Sequence, residues 1–215
     1  KPLVVGTRGS ALALAQADMT ERALQAHFPE LEIVRKIITT TGDRRTDVPL
    51  SEVAKVEGVF DKGVFIKELE VALQNGEVDL AVHSMKDVPT VLAEQFEVVG
   101  ALERAPVRDV LVCSEADSLE ALPEGALVAT GSVRRQRQLQ WLRPDIKVVD
   151  IRGNVPTRLQ KLRDNNELDA IMLAEAGLLR LGYDLSAELE GGLHAVAMPA
   201  DDFLPAAGQG IVGFE

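Results

Sequence analysis

Cysteine is nearly missing from this sequence. Cys113 stands alone among 215 residues, which excludes an internal disulfide and a metal site built from several thiolates. Histidine is almost as scarce, and His27, His83 and His194 have no metal-ligand spacing. Aromatics make up 4% of the chain, and its apolar runs are interrupted within a few residues, so no membrane span is visible. The opening KPLVVGTRGS already reads as a strand and turn, with no sign of a secretory leader. Neither GTRGS nor AAGQG is a Walker loop or a dinucleotide fingerprint, because GxxxxGK[ST] and GxGxxG are both absent. Positive charge is also in deficit. The formal net charge of -11 argues against nonspecific nucleic-acid binding as the main task.

What is present suits a globular α/β protein: 46% hydrophobic residues in a length sufficient for one large domain or two smaller ones. The single cysteine, expected as a buried core thiol in DVLVCS, is consistent with a reducing compartment. Charge is unevenly distributed. From Gly131 to Arg163 nine basic residues face two acidic ones, so this segment carries +7 and the remainder -18. A solvated basic helix face would account for it equally well.

Short β-rich runs alternate with helical patterns. Leu3 to Thr7 reads as a strand, followed by a helix from Ala11 to His27 with Ser10 as N-cap and Leu12, Ala15, Met19 and Ala23 on one face. Leu31 to Ile38 is a second strand, Phe65 to Gln74 a helix, and Leu80 to His83 a third strand. A second series has strands at 109–113, 127–130, 147–151 and 169–173, with helices at 132–142, 155–164 and 175–181. Such alternation implies mostly parallel sheets flanked by helices. VGTRGSALALAQ is echoed by VATGSVRRQRQL, and QNGEVDLAV by DNNELDAIML. These echoes favour two domains: 1–103 with 198–215, and 104–197. The glycines of PAAGQGIVGFE suit a hinge or close backbone approach, and Thr39 to Lys62, long and polar with little periodicity, reads equally as a mobile lid carrying Lys55 and Lys62 or as a disordered loop.

Ligands on such sheets bind beyond the carboxyl ends of the strands, so an interdomain cleft would gather the turns 7–10, 83–87, 130–135 and 151–158. These turns carry Arg8, Arg134, Arg135, Arg152 and Arg158. Their planar donors hold carboxylates in bidentate geometry, and several together suit a ligand with several carboxylates; for any one of them, a surface or inter-helix ion pair is the alternative. Asp87 is an acid in a region otherwise supplying positive charge. It would either neutralise Lys86 or cap a helix, or face the ligand and stabilise a cation formed during reaction. His83 at a strand end is read first as a hydrogen-bonded structural residue and second as a base.

Taken in order, TRGSALALAQ, KGVFIKELEVAL, DLAVHSMKDVP, TGSVRRQRQL, IRGNVPTRL, LAEAGLLRLG and PAAGQGIVGFE closely resemble the porphobilinogen deaminase (hydroxymethylbilane synthase) family from Leu3 to Glu215. The resemblance implies two domains like those of type II periplasmic binding proteins. It also implies a transferase joining four porphobilinogen molecules head to tail, with loss of ammonia, on a covalently attached dipyrromethane primer in tetrapyrrole biosynthesis. By resemblance, Asp87 is the catalytic aspartate. Ser10, Ser84, Lys86, Asp87, Ser132, Arg134 and Arg135 would hold the dipyrromethane, Arg8, Gln16, Arg152, Arg158 and Arg180 the substrate carboxylates, and Lys55, Lys62 and Phe65 belong to the lid.

Three features depart from the family pattern. Gly131 stands where a serine is usual, the stretch KVEGVFDKGVF is about three residues longer, and the family's attachment cysteine, in a third domain, has no counterpart in this sequence. The chain is therefore expected to be a fragment or a short relative, with little activity by itself. The expected partners are porphobilinogen and the growing pyrrole chain, with neither nucleic acid nor membrane. A monomer in the cytoplasm, or in a plastid stroma after loss of a transit peptide, completes the expectation. The competing class is a noncatalytic binding protein for a multivalent carboxylate, which has no evident need for Asp87.

Overall fold

The computed structural model describes residues 1–44 and 63–215. By internal contacts they form two units, Lys1–Ala105 with Gly210–Glu215, and Pro106–Gln209. The second boundary departs from the expected return at 198. Met198 and Phe203 lie in the core of the second unit, and the Met198 N–H donates to the Asp109 carbonyl at 2.8 Å, so residues 198–209 finish that unit before the chain leaves it.

The first unit contains β1 (Leu3–Thr7), α1 (Ala11–His27), β2 (Ile33–Ile37), α2 (Thr41–Arg44), α3 (Lys67–Gln74), β3 (Leu80–Ser84), β4 (Gly100–Ala101) and, from the chain's end, β10 (Val212–Phe214). Single 3-10 turns span Gly63–Phe65 and Met85–Asp87. The second unit holds β5 (Asp109–Cys113), β6 (Leu127–Ala129), α4 (Val133–Leu142), β7 (Lys147–Val149), α5 (Val155–Asp164), β8 (Ala170–Ala174), α6 (Glu175–Arg180) and β9 (His194–Ala197).

The two sheets have the same plan. Their orders are β2-β1-β3-β10-β4 and β7-β6-β8-β5-β9. In each, the first three strands are parallel, the fourth is antiparallel to both neighbours, and the fifth therefore runs with the first three. The reversed strand is the one reached by a crossing of the chain: β5 follows the first passage and β10 the return.

The sequence echoes mark a shared construction. Asp79, ahead of β3, accepts the Val4 N–H at 2.9 Å, and Asp169, ahead of β8, accepts the Leu127 N–H at 2.7 Å. Each carboxylate ties the start of one parallel strand to the start of the next. Ser10 and Ser132 likewise cap α1 and α4, accepting the N–H groups of Ala13 and Arg135 at 3.3 and 3.4 Å.

Strand β5 is buried along its whole length. Because successive side chains alternate faces, Leu111 and Cys113 join Leu139 of α4 in one core, while Val110 and Val112 join Leu159, Leu162 and Leu178 of α5 and α6 in another. Cys113 is wholly buried, its thiol donating to the Ala116 carbonyl at 2.8 Å; burial pushes its pKa up.

One helix face differs from expectation. The buried residues of α1 are Ala13, Gln16, Ala17 and Thr20, one position on from the apolar stripe Leu12, Ala15, Met19 and Ala23. Small side chains let the helix lie close to the sheet. The two polar residues are tolerated because both are hydrogen-bonded, Gln16 to Ser84 and Thr20 to the Gln16 carbonyl.

Candidate functional site

In the first unit the candidate residues collect at the ends of β1 and β3. Arg8 follows β1 directly. Its Nε lies 3.2 and 3.1 Å from the two carboxylate oxygens of Asp43, Nη2 also contacts Asp43 Oδ1, and the guanidinium stacks 4.2 Å from the centroid of Phe65. Burial raises the Asp43 pKa, but hydrogen bonding and charge from Arg8, with help from Thr40, outweigh it and hold the carboxyl below its usual range. Gln16 donates to Ser84 Oγ at 2.8 Å and accepts from it at 3.2 Å, so a residue on α1 fixes the hydroxyl at the end of β3.

Lys86 and Asp87 lie in the turn that follows. The partly exposed Asp87 carboxylate makes no hydrogen bond or ion pair among the described residues; it neither neutralises Lys86 nor caps a helix. Lys55 and Lys62 lie outside the described residues.

Behind this turn, His83 Nε2 lies 2.8 Å from Glu215 Oε2, with both side chains buried. His83 therefore has the structural partner expected of a strand-end histidine. Glu70 on α3 feels the same cluster: partial burial, followed by the charge of Glu215, raises its pKa against an opposing contribution from His83.

In the second unit, Arg134 and Arg135 converge on Asp109, the first residue of β5. Arg134 Nη1 donates to Oδ2 at 2.7 Å, and Arg135 donates Nε and Nη2 to Oδ1 at 2.9 and 2.7 Å. Gln209 adds a bond at 3.0 Å, and Arg135 Nη1 reaches the Met172 carbonyl at 3.0 Å. Burial works to raise the Asp109 pKa, but the two guanidinium groups reverse the direction and lower it. Two cations around one carboxylate leave a net positive charge at the start of α4. Of the pair, Arg134 is partly exposed, whereas Arg135 is only 6% exposed.

Arg152 and Arg158 flank the start of α5. Asn154 caps this helix by accepting the Thr157 N–H at 2.9 Å, and Arg158 Nε donates to the Gly153 carbonyl at 2.8 Å. Gly153 has φ +112° and leaves no room for a side chain, since a Cβ there would lie 2.9 Å from Thr157 Cγ2. Arg180 ends α6, where burial lowers its pKa. At Gly131, a Cβ would meet Asp150 Oδ1 at 3.1 Å and the Ile151 carbonyl at 3.3 Å, so this glycine fits a tight strand-end turn.

The acids that orient these cations were not singled out by sequence reasoning. Asp43 gives no periodic signal. Asp109 does give one: a lone charge opening an otherwise apolar buried strand must be paired. Glu215 and Gln209 act across long sequence separations, which periodicity does not register. Among the described residues no group of three or more His, Cys, Asp or Glu is arranged to hold a metal ion, and no helix is long and apolar enough to cross a membrane.

Two five-stranded mixed sheets of matching order, each flanked by helices, define an α/β protein of the periplasmic-binding-protein type. The periplasmic VFT2 domain of BvgS from Bordetella pertussis shares this fold (TM-score 0.53, 16% identity, 99% of this chain and 79% of that one). So does the periplasmic aliphatic sulphonate binding protein SsuA from Escherichia coli (TM-score 0.51, 14% identity, 99% of this chain and 60% of that one).

The family model described as porphobilinogen deaminase, dipyromethane cofactor binding domain, matches residues 3–215. A probable porphobilinogen deaminase of Methanococcoides burtonii is 45% identical over 98% of this chain and 62% of its own length. A porphobilinogen deaminase of Chlorobium phaeobacteroides strain BS1 is 45% identical over 100% of this chain and 64% of its own. The chain belongs to the porphobilinogen deaminase family, and it spans less than two thirds of the length of these relatives.

Proposed function

We propose that this chain supplies the substrate- and cofactor-binding part of a hydroxymethylbilane synthase, which condenses porphobilinogen units head to tail with loss of ammonia. The observation that carries the reading is Asp87, an acid with no hydrogen-bond or ion-pair partner among the described residues, in the turn after β3, beside Ser84 and Lys86, in a chain of this family.

The donor set fits a dipyrromethane, whose acetate and propionate groups need cations and hydroxyls. Ser10, Ser84, Lys86, Ser132, Arg134 and Arg135 would hold it. When bound, the dipyrromethane supplies the acceptor to which pyrrole units are added. Arg8, Arg152, Arg158 and Arg180, with Gln16, would take the carboxylates of incoming substrate by charge-assisted, planar hydrogen bonds. Asp87 would accept the pyrrole N–H and stabilise the cation left on porphobilinogen as its amine departs. A carboxylate that makes no hydrogen bond among the described residues keeps its lone pairs for that moment. Ser84, fixed by Gln16, would orient the neighbouring ring.

The test is Asp87→Ala in an enzyme carrying this chain with its primer attached. Turnover of porphobilinogen should be lost while the thermal transition is retained. Nearly normal turnover would reject the catalytic assignment and favour a binding protein for multivalent carboxylates.

A further inference from the structure

The contacts of Arg8 are one-sided. Asp43 engages Nε and Nη2, the lateral edge of the guanidinium, while Phe65 covers one face at 4.2 Å. Nη1 takes no part in these bonds. Asp43 is itself fixed, its Oδ2 accepting from Thr40 Oγ1 at 2.8 Å and from the Thr40 N–H at 3.2 Å, and Thr40 is fully buried. Gly42 makes room for the ring, since a Cβ there would lie 2.2 Å from Phe65 Cε1. A flexible arginine is thus held from a buried hydroxyl outward: Thr40 holds Asp43, Asp43 and Phe65 hold Arg8, and among the described residues Nη1 is left without a hydrogen bond.

From this geometry we infer that Asp43 and Phe65 are positioning residues that lock Arg8 in the rotamer whose free edge receives a pyrrole carboxylate. The inference rests on the proposed role of Arg8 in substrate binding. The alternative is that Asp43 competes with the ligand as an internal counter-ion, and the two make opposite predictions. A positioning acid strengthens binding because the guanidinium is ordered beforehand; a competing acid weakens it, because it must be displaced.

The experiment is titration calorimetry of porphobilinogen into the 215-residue chain and its Arg8→Ala, Asp43→Asn and double variants. Asp43→Asn should weaken binding about tenfold or more, the size of one charge-assisted hydrogen bond. In the Arg8→Ala background the same change should have no further effect, because Asp43 acts only through Arg8. Tighter binding by Asp43→Asn, or additive losses in the double variant, overturns the inference while leaving the Arg8 reading intact. No effect of Arg8→Ala, or no binding by the unsubstituted chain, sinks the Arg8 reading and the inference with it. Should Asp43→Asn fail to fold, Thr40→Val and Phe65→Leu run through the same cycle. Each should weaken binding in the presence of Arg8 and change nothing in its absence, and any other pattern counts against positioning.

Discussion

At the residue scale the recurring device is a carboxylate that orders arginines. Asp109 is fully buried and carries Arg134, Arg135 and Gln209 on its two oxygens. Asp109→Asn removes the charge of one partner from a buried ion pair and is expected to cost about 3–5 kcal/mol in urea unfolding. The pH dependence follows from the lowered Asp109 pKa. Stability from this group is present above its unfolded value of about 3.9 and is lost as pH falls through the lower folded value. The variant should therefore lack that part of the acid-induced loss. Glu70 behaves oppositely, because burial and then Glu215 raise its pKa. Its stabilising neutral form is present below about 4.3, the unfolded value, and the benefit is lost as pH rises through the folded one. The melting temperature of Glu70→Gln relative to the parent should thus climb as pH rises from about 4 and then level off. Cys113 is buried with a raised pKa, so mass spectrometry after incubation with porphobilinogen should find no pyrrole adduct on this thiol.

At the element scale, local polar groups place the strands. Asp79 and Asp169 each accept an N–H from the start of the neighbouring parallel strand, which pins register where a slip would turn the core face outward. Asp169→Ala leaves the partly buried Leu127 N–H without its acceptor and should cost about 1–3 kcal/mol. Asp79→Ala should cost less, because its bond to Val4 is exposed. Paired unfolding curves of the two variants check the ordering. Much of this level was legible beforehand. The strand at Leu3–Thr7, the helix at Ala11–His27 and the helix at Val155–Asp164 match their periodic patterns. The packed face of α1 was not, since its larger apolar residues lie beside the small ones that meet the sheet.

At the scale of the whole molecule, the units differ in continuity. The second is a single stretch, Pro106–Gln209, containing all five strands of its sheet. The first needs β10 from the chain's end, inserted between β3 and β4. A fragment of residues 106–209 should therefore fold with native-like circular dichroism and amide protection. A fragment of residues 1–105 should lose protection in β3 and β4 unless residues 210–215 are supplied, because the missing strand leaves both neighbours with unpaired backbone groups.

By itself the sequence determined the α/β class, the two series of elements, the strand-end placement of the cations, and the family. Each of these follows from local periodicity, capping residues, or short motifs whose members are neighbours in the chain. The tertiary structure decided which acid serves which arginine, that His83 meets Glu215, and that residues 198–209 complete the second unit. Those pairings join residues from 25 to 132 positions apart, as with Arg134 and Asp109 or His83 and Glu215. A charge must find its partner where desolvation would otherwise be prohibitive, and only the folded sheets determine where that is.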